Sequence, residues 1–460
     1  MIVAQSRQTL FFPDRQLPDY FQLGWDVPKN PLYSRQLVDR LGYTLGLSHP
    51  EPEANRNISL LNSRFVPYLT RIILSRGPNG EVTQRMLHQL SSKEIQEAYK
   101  ALGEDQSFAR PEVRDLIVKQ VAWRMRELPK YGPPLYSLGD ENGNSTSSGY
   151  GASDLPAFRQ FVEKKYKSIA NLNREWKSQY PSFSEVPHLP LADALAGGKP
   201  AAWNDHLEYM ERMYSDIHHL YAQEIRKLDP LAKVGLEGTF GGDNFEQMME
   251  GLDWWGPYSN LVEDEVLRSL YPDIPRFLWA GYHNERGPDK FPRLTEFLLK
   301  GSVNGNGWYS IYVHDVHSLV SVDYSPSYPE PFMADLQRLR FGLAQLLVNN
   351  PLKDSGLLVY WSHLSRRATK VDERCVTPES GMGPLLRFCY RTGLSLEFVS
   401  SRNLERLEKG KVLMLLGSSS LNAQEAAAIL SFVEKGGTVI ADINPAVLNE
   451  YMNAVQENPL

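Results

Sequence analysis

The sequence predicts an α/β protein: a (β/α)8 TIM barrel over residues 1–350, then a smaller doubly wound α/β domain over residues 351–460. Three observations predict it. Eight short apolar runs alternate with longer amphipathic segments over roughly the first 345 residues, which is the budget of a (β/α)8 barrel with insertions. No run is followed by a G-x-G-x-x-G turn, which disfavours a Rossmann-type open sheet, the alternative. Beyond NNPLKDSG (349–356) the chain changes character, and buried-strand runs alternate with helical ones.

The elements follow in order. YFQLGW (20–25), RLGYTLGLSHPE (40–51), FVPYLTRIILSRG (65–77) and LYSLGDENG (135–143) read as the first four strands. A helix is expected over 155–176, because Phe158, Phe161, Val162, Tyr166, Ile169, Leu172 and Trp176 recur at three- and four-residue steps. Ser153 or Asp154 offers its N-cap, and Pro156 suits its first turn. Residues 177–202 form an excursion rich in Pro, Gly and Ala. A second long helix, 203–228, is stopped by Asp229-Pro230. AKVGLEGTF (232–240), DWWGPYSNLVEDE (253–265), PRFLWAGYHNE (275–285) and GWYSIYVHD (307–315) supply strands five to eight, with helical patterns at 289–300 and 331–348. GSVNGNG (301–307) precedes the eighth strand and reads as a plain loop. In the tail, GLLVYWS (356–362), LSLEFVS (394–400), KVLMLLGSS (411–419) and GGTVIAD (436–442) read as buried strands, with no phosphate-cradling loop among them.

Composition narrows the function. The net charge of −6 offers no cationic patch for a nucleic-acid or membrane partner. No apolar run reaches the roughly 18 residues of a membrane helix. The N-terminus shows no export signal, so a cytoplasmic location is expected. Cys375 and Cys389 are too few for a disulfide framework or a zinc cluster, and Cys389, inside a helical pattern, reads as core. Adjacent His218 and His219 cannot face one metal from a helix. No cofactor is expected. The aromatic content of 11% suits both a large core and a sugar-binding cleft.

In a barrel, chemistry collects on the loops that follow the strands. The first strand ends in Trp25-Asp26, and the second in Ser48-His49-Pro50-Glu51. The fourth ends in Asp140-Glu141-Asn142, and the fifth carries Glu237 between glycines that let another group approach the backbone. The seventh runs into Tyr282-His283-Asn284-Glu285, and the eighth offers Trp308, Tyr312, His314 and Asp315. Carboxylates, histidines and rings meeting at one end fit glycoside hydrolysis, which needs one protonated acid and one carboxylate across the bond. The acid must be raised by an apolar or anionic surrounding. Glu263, Asp264 and Glu265 read instead as acids opening a helix.

The segment FRQFVEKKYKSIANLNREWKSQYPSFSEV (158–186), after the fourth strand, resembles glycoside hydrolase family 42 β-galactosidases. YSLGDENG sits where that family has Asn-Glu. The resemblance implies that Glu141 is the general acid/base, with Asp140 in place of the Asn that contacts the sugar 2-hydroxyl in the wider clan. The tail, from GLLVYWSHLS to EKGGTVIAD, is similar to the family's flavodoxin-like trimerisation domain, which implies a homotrimer. The family's nucleophile is a Glu at the end of the seventh strand, where this chain has Gly281 or Tyr282. Three readings stand open: Glu285 reaches in, Glu237 takes the role, or the barrel binds sugar without cutting it.

The resulting expectation is a glycosidase for β-linked galactosides or related glycans. Glu141 protonates the leaving oxygen, and Glu237 or Glu285 is the partner carboxylate. Trp25, His49, Asp140, Asn142, Tyr282, His283, Trp308 and Asp315 line the sugar site. The rival from another class is a carbohydrate-binding pseudoenzyme. An amidotransferase built on the tail is disfavoured, because no exposed Cys sits at a strand-to-helix elbow.

Overall fold

The computed structural model describes residues 15, 21–25, 45–48, 64–84, 92–258, 260–280, 305–308, 338, 342–350, 353–409 and 411–460. The chain begins with three strands, β1 (Phe21–Trp25), β2 (Leu45–Ser48) and β3 (Arg64–Pro67). The stretch expected as one third strand is in fact two. After Pro67 the chain turns away and resumes as β4 (Ile73–Arg76), which pairs antiparallel with β5 (Val82–Gln84). Helices α1 (Lys93–Ala101) and α2 (Pro111–Met125) follow. Next come β6 (Tyr136–Ser137) and β7 (Gly143–Asn144).

The helix expected over 155–176 is broken into α3 (Asp154–Tyr166) and α4 (Ile169–Trp176). Lys167 turns left-handed at φ 62°, and the Ser168 hydroxyl accepts the Asn171 N–H to start the second helix. The apolar spacing runs through the break because both halves face one core. Phe158, Val162, Leu172 and Trp176 are all fully buried. Neither expected residue caps α3 in the usual way: Ser153 makes no side-chain capping bond, and Asp154 turns inward to accept from Ser107 and Tyr209.

The excursion holds α5 (Leu191–Ala196), and the 29-residue α6 (Pro200–Leu228) spans the molecule behind it. The order continues with β8 (Val234–Leu236), α7 (Phe245–Met248), β9 (Trp254–Trp255), α8 (Leu261–Leu270), β10 (Leu278–Ala280) and β11 (Gly305–Trp308). Gly305 to Gly307, expected as loop, are the first three residues of the last of these strands. β11 pairs in parallel with both β1 and β10.

The pairing of these strands positions everything else. β1 pairs in parallel with β2 and β2 with β3. A parallel bridge joins Tyr68 to Ser137 of β6, and β6 pairs with β8, and β8 with β9. A parallel bridge joins Trp255 to Arg276, just before β10. β10 then pairs with β11, and β11 with β1. The pairings therefore return to their start, and eight strand ends point the same way. β4 and β7 pair outside this ring at Ile73↔Gly143, so a small side sheet grips the chain just past β6.

After α9 (Ala344–Asn349) come β12 (Leu357–Tyr360), α10 (His363–Ala368), α11 (Pro378–Thr392), β13 (Glu397–Val399), β14 (Val412–Leu415), α12 (Ala423–Glu434) and β15 (Thr438–Ala441). All four strands are parallel, in the order β13-β12-β14-β15. Cys375 and Cys389 are buried and free, and Cys389 packs in the core, as its helical pattern predicts.

This second unit is bound tightly to the first. Val359, Trp361, Met382 and Leu386 share one apolar cluster with residues of α6 and α7. Arg367 on α10 forms a buried ion pair with Glu211 on α6 and donates to Asn204 Oδ1 at 3.3 Å. Removing one member of such a pair strands the other charge and costs about 3–5 kcal/mol. Glu265 accepts from Tyr390 at 2.9 Å and pairs with Arg268, whose Nη2 donates to the Leu396 carbonyl. Asp264 pairs with Arg276. These two helix-opening acids are thus buried in ion pairs, instead of only answering the helix dipole.

Candidate active site

Residues 138–142 do not continue β6; they turn. Gly139 takes φ 106° and Glu141 φ 50°, so the two acids of the tip do not alternate as strand residues would. Only glycine fits at 139, where a Cβ would lie 2.2 Å from the Thr70 carbonyl oxygen. Asn142 fastens the turn. Its Oδ1 accepts the Ile72 N–H at 2.7 Å, and its Nδ2 donates to the Gly139 carbonyl at 2.8 Å. Expected to touch sugar, Asn142 is fully buried and spends both ends of its amide on backbone.

The turn runs alongside the residues that follow β8. The Glu237 N–H donates to Gly139 O at 3.0 Å, and the Phe240 N–H donates to Asn142 O at 2.7 Å. The glycines flanking Glu237 admit what the sequence leaves unspecified. A Cβ on Gly238 would meet the Tyr258 ring at 2.5 Å, and one on Gly235 would meet Trp254. Tyr258, past β9, is itself left-handed at φ 51°. Its hydroxyl donates to Asp140 Oδ1 at 2.8 Å and accepts the Glu141 N–H. The Asp140 N–H donates to the Tyr68 hydroxyl at 3.2 Å. Left-handed backbone at 139, 141, 238 and 258 thus converges on one spot, and such strain persists only where surrounding contacts over-determine it.

The carboxyls differ sharply. Glu141 is 40% exposed and pairs with the Arg71 guanidinium. Asp140 is buried. Glu237 is wholly buried and accepts a hydrogen bond from Ser137 Oγ. Burial, and then the charge of nearby Asp140, push the Glu237 carboxyl well above the ordinary range. The ring therefore brings together a half-exposed, ion-paired carboxyl and a buried one whose proton is held more tightly.

The backbones of Trp25 and Trp308 end β1 and β11 on the same side of the ring. His49, Tyr282, His283, Glu285 and Asp315 lie outside the described residues. Arg71, Tyr68 and Tyr258 escape a survey of strand tips that passes over strands three and six. The signal for them is present: Tyr68 and Arg71 follow the third strand, and Tyr258 ends Trp-Trp-Gly-Pro-Tyr after the sixth. Among the described residues no group of three or more His, Cys, Asp or Glu could hold a metal. His218 and His219 bond different carbonyls, those of Tyr214 and Met248. No described helix is long and apolar enough to cross a membrane.

The family model Glyco_hydro_42, described as β-galactosidase, matches residues 106–257. That is about a third of the chain, and it holds Asp140, Glu141 and Glu237. No curated protein matches the sequence. Among solved structures, the β-galactosidase of Rahnella sp. R3 superposes with a TM-score of 0.75 at 11% identity, covering 96% of this chain and 74% of its own. A catalytic mutant of Gan42B, a GH42 β-galactosidase of G. stearothermophilus, gives 0.71 at 12% identity, covering 95% and 73%. The β-galactosidase of Marinomonas ef1 gives 0.66 at 14% identity, covering 95% and 78%. At such identities the likeness is one of fold. In sequence over residues 106–257 and in fold over nearly its whole length, the chain resembles the β-galactosidases of glycoside hydrolase family 42, the likeness its own motifs carry.

Proposed function

We propose that this chain is a glycoside hydrolase acting on β-linked galactosides or related glycans. In this reading the ring of parallel strands is the wall of a (β/α)8 barrel within residues 1–350, and residues 351–460 form a flavodoxin-like domain. Glu141 is the general acid/base. The observation that carries the reading is its placement. Among Asp140, Glu141 and Glu237, Glu141 is the half-exposed one, it stands past a parallel strand end, and a turn fastened by Asn142 and Tyr258 holds it there. Asp140, Trp25 and Trp308 stand at the same end of the strands, and His49, Tyr282, His283 and Asp315 complete the sugar site in this proposal.

The partner carboxylate is Glu237 or Glu285. A buried carboxyl whose proton is held more tightly is a weaker nucleophile, so Glu237's surroundings favour Glu285 for attack. Glu141→Gln should lower turnover of a galactoside with a poor leaving group by roughly 10²–10⁴-fold. An activated aryl galactoside should suffer less, because its leaving group needs little protonation. Equal hydrolysis of both substrates before and after the change would remove Glu141 from the role.

The second reading, a sugar-binding barrel without hydrolysis, draws on the seventh-strand position, where Gly281 or Tyr282 replaces the expected Glu. Galactoside binding by calorimetry, with no turnover of any aryl glycoside, would select it.

A homotrimer held by the second unit completes the proposal. Ile440 on β15, Ile443 beyond it, and Leu430 and Val433 on α12 are exposed apolar side chains around one edge of that unit's sheet.

A further inference from the structure

A cavity of about 350 Å³ opens between the loop after β8, the start of α8, and α10 and α11 of the second unit. Phe240, Asp243, Glu263, Trp361, Arg366 and Glu379 line it. We propose that this cavity is a sugar-binding subsite, which holds a unit of an oligosaccharide beyond the bond to be cut. The proposal rests on the glycosidase reading and deepens it.

The lining has the chemistry of polyol recognition. Arg366 supplies a guanidinium held 5.4 Å above the Trp361 ring and paired through Nε with Glu379 at 2.7 Å. Asp243 supplies an acceptor and is oriented by the Thr239 hydroxyl at 2.8 Å. Glu263 is held by Trp255 Nε1 at 2.7 Å. Burial and the charge of Asp243 push the Glu263 carboxyl up to about 8. One wall therefore offers a guanidinium and carboxyl groups, beside the rings of Trp361 and Phe245, whose centroids lie 5.3 Å apart. A dense array of both bond types next to rings suits hydroxyl groups and sugar faces better than a metal, a fully apolar ligand or an anion. The size lies near the lower end of the roughly 300–1,000 Å³ common for small-molecule sites.

Position supplies the link to the candidate site. Phe240 lines the cavity and stacks on Tyr258 at 5.9 Å, and Tyr258 bonds Asp140 and the Glu141 backbone. In this proposal a chain of sugars leaving Glu141 past Tyr258 enters the cavity.

The test uses β-linked galacto-oligosaccharides of two to five units with the full chain. Hydrolysis should show kcat/KM rising tenfold or more as length increases. Glu379→Gln and Asp243→Asn, both near-isosteric, should each flatten that rise and leave hydrolysis of an aryl galactoside unchanged. A flat length profile in the unaltered chain, or an intact rise in both variants, would overturn the subsite. If no substrate is cut at all, calorimetry separates the two ideas. Oligomer binding that both variants weaken would uphold the cavity while the glycosidase reading falls; no oligomer binding would overturn the cavity.

Discussion

Glu237 shows how much one buried group can say. A carboxyl whose folded pKa is raised binds a proton in the fold that the unfolded chain has already lost. Between the ordinary carboxylate range and that raised value, stability therefore falls as pH rises. Near neutral pH the acid is a net cost, tolerated beside a candidate site. Glu237→Gln keeps the shape and an acceptor for Ser137 while removing the ionisation. It should stabilise the protein by about 1–3 kcal/mol at pH 7.5 and by almost nothing at pH 4. Denaturant midpoints at the two pH values check this, and an equal effect at both would mean that ionisation is not the cause. The flanking glycines predict a close approach at Glu237. That the approaching groups are Tyr258 and Trp254, from the next strand and its tip, is a fact of the assembled ring.

At the scale of elements, α6 carries a second buried device. His206 Nε2 donates to the Thr146 carbonyl at 2.7 Å, so its Nδ1 must accept from His188 Nε2, also at 2.7 Å. Both rings are neutral in this arrangement. Burial lowers His206 to about 4, and burial with the neighbouring His206 lowers His188 to about 2. A depressed folded value means that the unfolded chain takes up the proton first. The contribution is whole above about pH 6.5 and is lost as pH falls towards the folded values. His188→Phe, stacked on Phe158 in place of the imidazole, should reduce the slope of stability against pH between 4.5 and 6 by about 1.4 kcal/mol per unit. An unchanged slope in denaturation across that range would place the acid sensitivity elsewhere. The helix α6 itself is legible from Asp229-Pro230 and its apolar spacing. The break at Lys167-Ser168 is not, because a single Ser cap leaves the apolar period untouched.

For the whole molecule, the decisive relation is between the two units. Arg367 with Glu211, Arg268 with Leu396, and a continuous apolar cluster make the second unit a buttress of α6 and α8, the helices around the candidate site. If the exposed apolar edge around β15 joins copies of the chain, light scattering should give three times the 52.3 kDa of one chain. Replacing Ile440 and Ile443 by Lys should then lower the mass towards that of one chain. A single-chain mass for the unaltered protein would dismiss the trimer.

What the sequence determined by itself is the succession of the ring's strands and the residues at their tips. Alternating apolar runs and helix stops are local, and most expected strands form where they stand; the turn at 138–142, the split of 65–77 and the break at Lys167 do not follow from them. What only the tertiary structure decided is the chemistry of each acid. Glu141 is half-exposed and paired with Arg71, between β3 and β4; Glu237 is sealed beside Ser137 of β6, its carboxyl pushed up; and Glu263 faces a cavity shared with the second unit. Burial and charge are set by neighbours tens to hundreds of residues away along the chain, and no spacing along it records them.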